Sequence, residues 1–136
     1  VITVRKRPCT SCPYRCEVPS GIWDESEYAK LAAFDGSTAE QATAGAFSVF
    51  FCHRRTGEVC AGWAGCHDME ENLAIRMSRE DLDLDAIRAY ESPVPLFASG
   101  ADAAEHGLRD VGQPGEAARV LIGKLTRLRA ARKDWA

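Results

Sequence analysis

The sequence predicts an α+β fold: a mainly helical small domain with a short sheet and an irregular cysteine-rich region. Three observations predict it. Apolar positions recur at helical spacing behind capping residues in several stretches. One aromatic and β-branched run, Phe47–Phe51, has strand character. Between Pro8 and Pro19 the chain alternates cysteines with prolines too often for regular structure. At 136 residues, 46% hydrophobic and 27% charged, the chain fits a single domain, 1–136, that can bury a core without covalent staples.

Each element has a local reason. Ile2-Thr3-Val4 is a short edge strand. Asp24 is a helix N-cap, with Glu27 three residues on completing a capping box. Tyr28, Leu31 and Phe34 give that helix its apolar face, and Gly36 ends it. Residues 36–46 are small and polar and are expected to form a loop. The Phe47–Phe51 strand runs into Cys52-His53, a turn covers Arg55–Glu58, and Cys60 follows. Residues 61–77 predict one helix. Ser78 with Asp81 marks a second capping box, for a short helix ending near Tyr90. Pro93 and Pro95 break the chain, and Ser99 to His106 predicts a turn or two of helix. Pro114 suits the first turn of a basic amphipathic helix over 113–136. Its apolar stripe is Ala117, Ala118, Leu121, Leu125 and Leu128, with Arg119, Lys124, Arg127, Arg129, Arg132 and Lys133 around it.

Charge is unevenly placed. The net charge is -3, yet residues 1–16 hold Arg5, Lys6, Arg7 and Arg15 with no acid, and the C-terminal helix is also basic. The acids concentrate between these ends. Such basic ends suit a weak nucleic-acid or protein partner, or act as solvated faces. No apolar run approaches the roughly 20 residues of a membrane span, and no secretory leader heads the sequence. A cytoplasmic protein without membrane contact is therefore expected, in which six cysteines favour metal or redox chemistry over a disulfide framework.

Cys9-Thr10-Ser11-Cys12 is a C-x-x-C pair, whose spacing lets two sulfurs turn to one point. Cys52, at the end of an apolar run, and Cys60, beyond a turn, form the second half if the chain returns like a hairpin. Cys9, Cys12, Cys52 and Cys60 are thus the candidate ligands. Structural zinc favours two tight knuckles, and the second pair here is widely spaced. A 4Fe–4S cluster attaches its thiolates at separated corners and suits scattered cysteines better. Zn2+ stays open as the alternative. Phe50, Phe51 and Trp63 are candidate shields for the centre, and His53 is a candidate to support a ligand from behind. Cys16 and Cys66 read as small buried hydrophobes. A second site built with Cys16, Cys66 and His67 is the competing arrangement.

Pro8-Cys9-Thr10-Ser11-Cys12-Pro13-Tyr14-Arg15, Gly21-Ile22-Trp23, Phe51-Cys52-His53 and Cys60-Ala61-Gly62-Trp63 together resemble an uncharacterised family from actinobacteria and their phages. Its pattern is C-x-x-C-P-[WYF]-R, then G-x-W, F-x-C-H and C-A-G. The similarity covers residues 8–107. It implies the same four cysteines and a bacterial or phage setting, and it implies no activity.

Two functions follow as expectations. The preferred one is a non-enzymatic iron–sulfur protein with a redox-sensing or electron-transfer role. The alternative is a zinc-stabilised module that binds nucleic acid or protein through its basic ends. A four-thiolate set leaves no open position for a substrate, and no G-x-S-x-G, H-E-x-x-H or P-loop is present, so an enzyme ranks last.

Overall fold

The structure, a computed structural model, describes residues 1–52 and 57–135, with residues 132–135 described in their backbone only. It is an α+β domain. Strand β1 (Thr3–Val4) pairs in parallel with β2 (Glu58–Val59), Thr3 facing Glu58 and Val4 facing Val59. Phe51 bridges Val59 from the other side, antiparallel. Val59 is therefore enclosed on both edges, and it is fully buried. The strand expected over Phe47–Phe51 shrinks to that one bridge. Val49 and Phe50 pack against the core instead, and Phe47 is half exposed. Side-chain packing, not a hydrogen-bond ladder, satisfies this run.

Helix α1 (Glu25–Ala29) begins at Asp24, whose carboxylate accepts from the amide of Ser26 at 3.1 Å. The expected box with Glu27 does not form, because Glu27 pairs with Lys30 at 3.2 Å. A 3-10 turn follows over Leu31–Phe34. The capping box lies one element later. Ser37 Oγ accepts from the Glu40 amide and Glu40 Oε1 accepts from the Ser37 amide, both at 3.1 Å. It starts α2 (Thr38–Thr43) inside the stretch expected to be a loop. Small residues hid the helical periodicity there, and only the cap pair revealed it.

The single helix expected over 61–77 is three pieces: α3 (Ala61–Cys66), a 3-10 turn (Met69–Glu71) and α4 (Leu73–Met77). Asp68 and Asn72 cut it. Asp68 accepts from the Glu70 amide at 3.0 Å and Asn72 from the Ile75 amide at 2.9 Å, so each side chain starts a new turn. The buried Gln41 ties α2 to this region. It accepts from the Leu73 amide at 2.9 Å and donates to the carbonyls of Gly36 and Glu71, both at 3.0 Å. Helix α5 (Leu84–Arg88) is capped by Asp83, not Ser78. Helix α6 (Gly100–Leu108) lies where the sequence predicts a turn or two of helix, and Ser99 caps it. Helix α7 (Glu116–Trp135) starts beyond Pro114, which therefore precedes the first turn.

The core joins Tyr14, Tyr28, Leu31, Val59, Trp63, Ile75, Ile87 and Ala103. Helix α6 packs on α1 and the 3-10 turn after it. That approach needs Gly107, where a Cβ would strike the Tyr28 ring. Tyr28 is held so that its hydroxyl accepts from the amides of Ile22 and Trp23 at 3.0 and 3.1 Å, ordering the Gly21-Ile22-Trp23 segment. A smaller cluster of Val18, Ile22 and Ala118, with Leu121 and Ile122 against it, holds the start of α7 to the cysteine loop. Only this first part of the predicted apolar stripe is packed, since Leu128 is exposed. Among the described residues no helix is long and apolar enough to cross a membrane.

Candidate thiolate centre

The two halves of the cysteine pattern meet because two local folds place them. In the first, a tight turn runs from Cys9, whose carbonyl accepts from the Cys12 amide at 3.0 Å; the Cys12 carbonyl in turn accepts from Arg15 at 3.1 Å. Trp23 braces that turn by donating Nε1–H to the Ser11 carbonyl at 2.8 Å. In the second, the chain returns on itself as a hairpin. The Cys52 amide donates to the Glu58 carbonyl at 2.8 Å, and the Cys60 amide to the Phe50 carbonyl at 2.9 Å. These bonds frame the Phe51–Val59 bridge and leave Cys60 at the N-terminus of α3.

The structure brings Cys12 and Cys60 into sulfur-to-sulfur hydrogen-bond contact, with Cys9 in electrostatic reach of Cys12. The Arg5 guanidinium links the other members. Its Nη1 donates to Cys52 Sγ at 3.5 Å, and it is also in electrostatic reach of Cys9 and Cys60. Cys12 and Cys52 are buried, while Cys9 and Cys60 are partly so. No two of the six cysteines are joined as a disulfide.

The pair Cys12–Cys60 shares its proton unequally. The hydrogen bond from Cys12 is the largest influence on Cys60 and brings it down to about 7, with the amides of Trp63 and Gly62 and the Arg5 charge acting the same way against burial. The same hydrogen bond, together with burial, pushes Cys12 far up. The contact favours the proton on Cys12 and negative charge on Cys60. A thiolate, not a thiol, is what binds a soft metal.

Gly62 makes the contact sterically achievable. A Cβ at that position would collide with Cys12 Sγ. Three fully buried donors on the same two segments have no hydrogen-bond partner among the described residues: Ser11 Oγ, Tyr14 Oη and Trp63 Nε1. Buried donors normally find an acceptor. Arg5, Ser11 and Tyr14 did not stand out in the sequence as site residues and Trp63 did so only as an aromatic shield, although Ser11, Tyr14, Gly62 and Trp63 all lie inside the quoted motifs.

Among the described residues no three His, Cys, Asp and Glu side chains are grouped to hold one metal ion. A tetrahedral zinc site would need all four sulfurs about 3.8 Å apart, given Zn–S bonds of about 2.3 Å. The thiols converge on one region without reaching that grouping.

The remaining candidates lie elsewhere or serve the fold. Cys66 donates its thiol to the Phe97 carbonyl at 3.3 Å, and burial, with Asp35 and Asp102 nearby, pushes it up to about 12. Cys16 is exposed, not the buried hydrophobe expected. His67 is a strut. Its Nδ1 meets the Trp63 carbonyl at 2.9 Å and its Nε2 meets Asp35 at 3.0 Å. Asp35 also accepts from the amides of Gly100 and Ala101 at 2.7 and 2.9 Å, joining α3 to α6. His53 lies outside the described residues. Of the expected aromatic shields, Trp63 is fully buried and stacks on Phe50, with ring centres 6.4 Å apart. Phe51 is 43% exposed and turns instead to a surface crevice of about 570 Å³. Pro13, Trp23, Phe50 and Arg129 share that crevice, where Arg129 sits 5.4 Å over the Trp23 ring.

A protein-family model described as a family of unknown function, DUF6283, matches residues 4–129. No curated protein and no solved structure matches the chain.

Proposed function

The chain belongs to this family of unknown function, so its chemistry must be read from its own thiols, and we propose that it is a non-enzymatic iron–sulfur protein with a redox-sensing or electron-transfer role. Cys9, Cys12, Cys52 and Cys60 would hold a 4Fe–4S cluster, which supplies one-electron chemistry when bound. The observation that carries the reading is the meeting of Cys12 with Cys60, from segments far apart in sequence, at a place where Arg5 also draws in Cys9 and Cys52. The donor chemistry fits such a group. Cys60 is acidic enough to bind as thiolate near neutral pH. The unpartnered Ser11, Tyr14 and Trp63 donors suit an acceptor-rich sulfide cluster, and the buried Trp63 ring, with Phe50 stacked on it, limits water around it. The actinobacterial or phage setting and a cytoplasmic location belong to this reading.

One observation favours the alternative, a zinc-stabilised module that binds nucleic acid or protein. Sulfurs in mutual contact, as in Cys12–Cys60, suit the short sulfur–sulfur spacing around Zn2+ better than the corners of a cluster. The visible spectrum of protein prepared without oxygen separates the two. The iron–sulfur reading expects brown protein that bleaches with dithionite. Colourless protein at full metal occupancy would establish the zinc reading.

A further inference from the structure

We propose that Arg5 is the positioning charge that sets the reduction potential of the thiolate centre, an inference that rests on the iron–sulfur reading above. The backbone puts it there. Arg5 follows β1, and its amide donates to the Val59 carbonyl at 3.0 Å. On the far side of Val59 lies Phe51, the neighbour of Cys52. The Arg5 side chain spans this narrow sheet, and its Nη1 reaches Cys52 Sγ at 3.5 Å while Nε is fixed on the Arg7 carbonyl at 3.2 Å. Two anchors on one planar fork leave the guanidinium little freedom. Lys6 and Arg7 follow directly and are exposed, so the basic run contributes one charge to the sulfurs and two to solvent.

The consequence is electrostatic. A guanidinium stays cationic throughout the working pH range. A bound cluster would take up one electron from a one-electron donor, with no bond made or broken at Arg5. The added negative charge is favoured by the adjacent cation and by the N–H donated to the Cys52 sulfur. Arg5 would thus hold the potential of a bound cluster higher than four thiolates alone would set it.

The test is a potentiometric titration of the iron-loaded chain, following the visible band with dithionite as reductant. Wild type is compared with Arg5→Gln, Arg5→Lys and Arg7→Gln, with iron and sulfide measured on each. At the wild-type midpoint, Arg5→Gln is expected to lower the reduced-to-oxidised ratio on the order of tenfold, about 59 mV for one electron. Arg5→Lys keeps the charge but not the fork and should show a smaller fall in the same direction. Arg7→Gln should leave the ratio within about twofold of wild type. If Arg5→Gln fails to retain iron, the lysine variant decides alone. An unchanged ratio in the iron-loaded Arg5 variants, or an equal fall in Arg7→Gln, overturns the role of Arg5 and leaves the iron–sulfur reading standing. A wild-type chain without iron overturns both.

Discussion

Cys12 with Cys60 and Cys16 with Cys66 are two sets of the same residue type in one small domain, and the fold treats them oppositely. Cys12 and Cys60 hydrogen-bond to each other, with peptide amides and Arg5 stabilising negative charge, and Cys60 comes down to about 7. Burial first, and then Asp35 and Asp102, push Cys66 up to about 12, while Cys16 is left to solvent. The difference teaches that a cysteine's chemistry here is set by what faces the sulfur. Donors and cations prepare a thiolate ligand, whereas burial beside carboxylates keeps an inert thiol.

The largest break in that comparison should come from serine substitution. Cys12→Ser or Cys60→Ser removes a soft ligand and the shared proton. Most of the metal should be lost, and stability should fall by on the order of several kcal/mol if metal binding is linked to folding. Cys16→Ser and Cys66→Ser should keep the metal. Iron analysis beside urea unfolding checks all four, and metal loss from either of the latter two would revive a second site.

Gly62→Ala should follow in size. Its methyl group would drive Cys12 Sγ away from Cys60, and overpacking of this kind costs about 1–3 kcal/mol. Cys60 should then titrate closer to an ordinary thiol, which the ultraviolet absorbance of thiolate in metal-free protein reads directly. A melting temperature and thiolate titration equal to wild type would show that the two sulfurs do not depend on the glycine.

A smaller effect should appear at alkaline pH. Cys66 is neutral in the fold up to about 12 but ionises near 9 when unfolded. Between those values the folded chain binds more protons, so stability contributed by the buried neutral thiol is full below pH 9 and is lost as pH rises toward 12. Cys66→Ala should flatten the alkaline loss seen in urea midpoints. An undiminished slope would assign it to other groups, such as the buried Tyr14.

The smallest effect concerns the basic ends. Arg5 lies on the cysteines and Arg129 beside Pro13 and Phe51, so a common anionic partner could touch both. Duplex DNA should bind weakly at most and lose affinity steeply with salt, by a slope of about 0.9 per phosphate neutralised. Arg119→Glu with Arg127→Glu should flatten that slope and leave the metal content unchanged. Tight, sequence-selective binding at physiological salt would instead favour the zinc-module reading.

The sequence made some of this visible and concealed the rest for identifiable reasons. The fold class, the short helix after Ser99 and the return of Cys60 toward Cys52 were legible, because turns and apolar runs are local signals. Helix α2 was missed because alanine, threonine and glycine carry no stripe, although Ser37 and Glu40 held its start in plain view. The break between α3 and α4 depends on Asp68 and Asn72 choosing their own backbone over the helix. Arg5 could not be singled out from Arg5-Lys6-Arg7, since only the β1–β2 register decides which of three cations meets a sulfur. The role of Gly62 likewise depends on a contact with Cys12, fifty residues away in the chain.

Iron and acid-labile sulfide content of anaerobically purified wild-type chain bears most directly on the central claim. The account predicts about four of each per chain, with the content preserved in Cys16→Ser and Cys66→Ser. One zinc per chain without sulfide, or no bound metal, would contradict it.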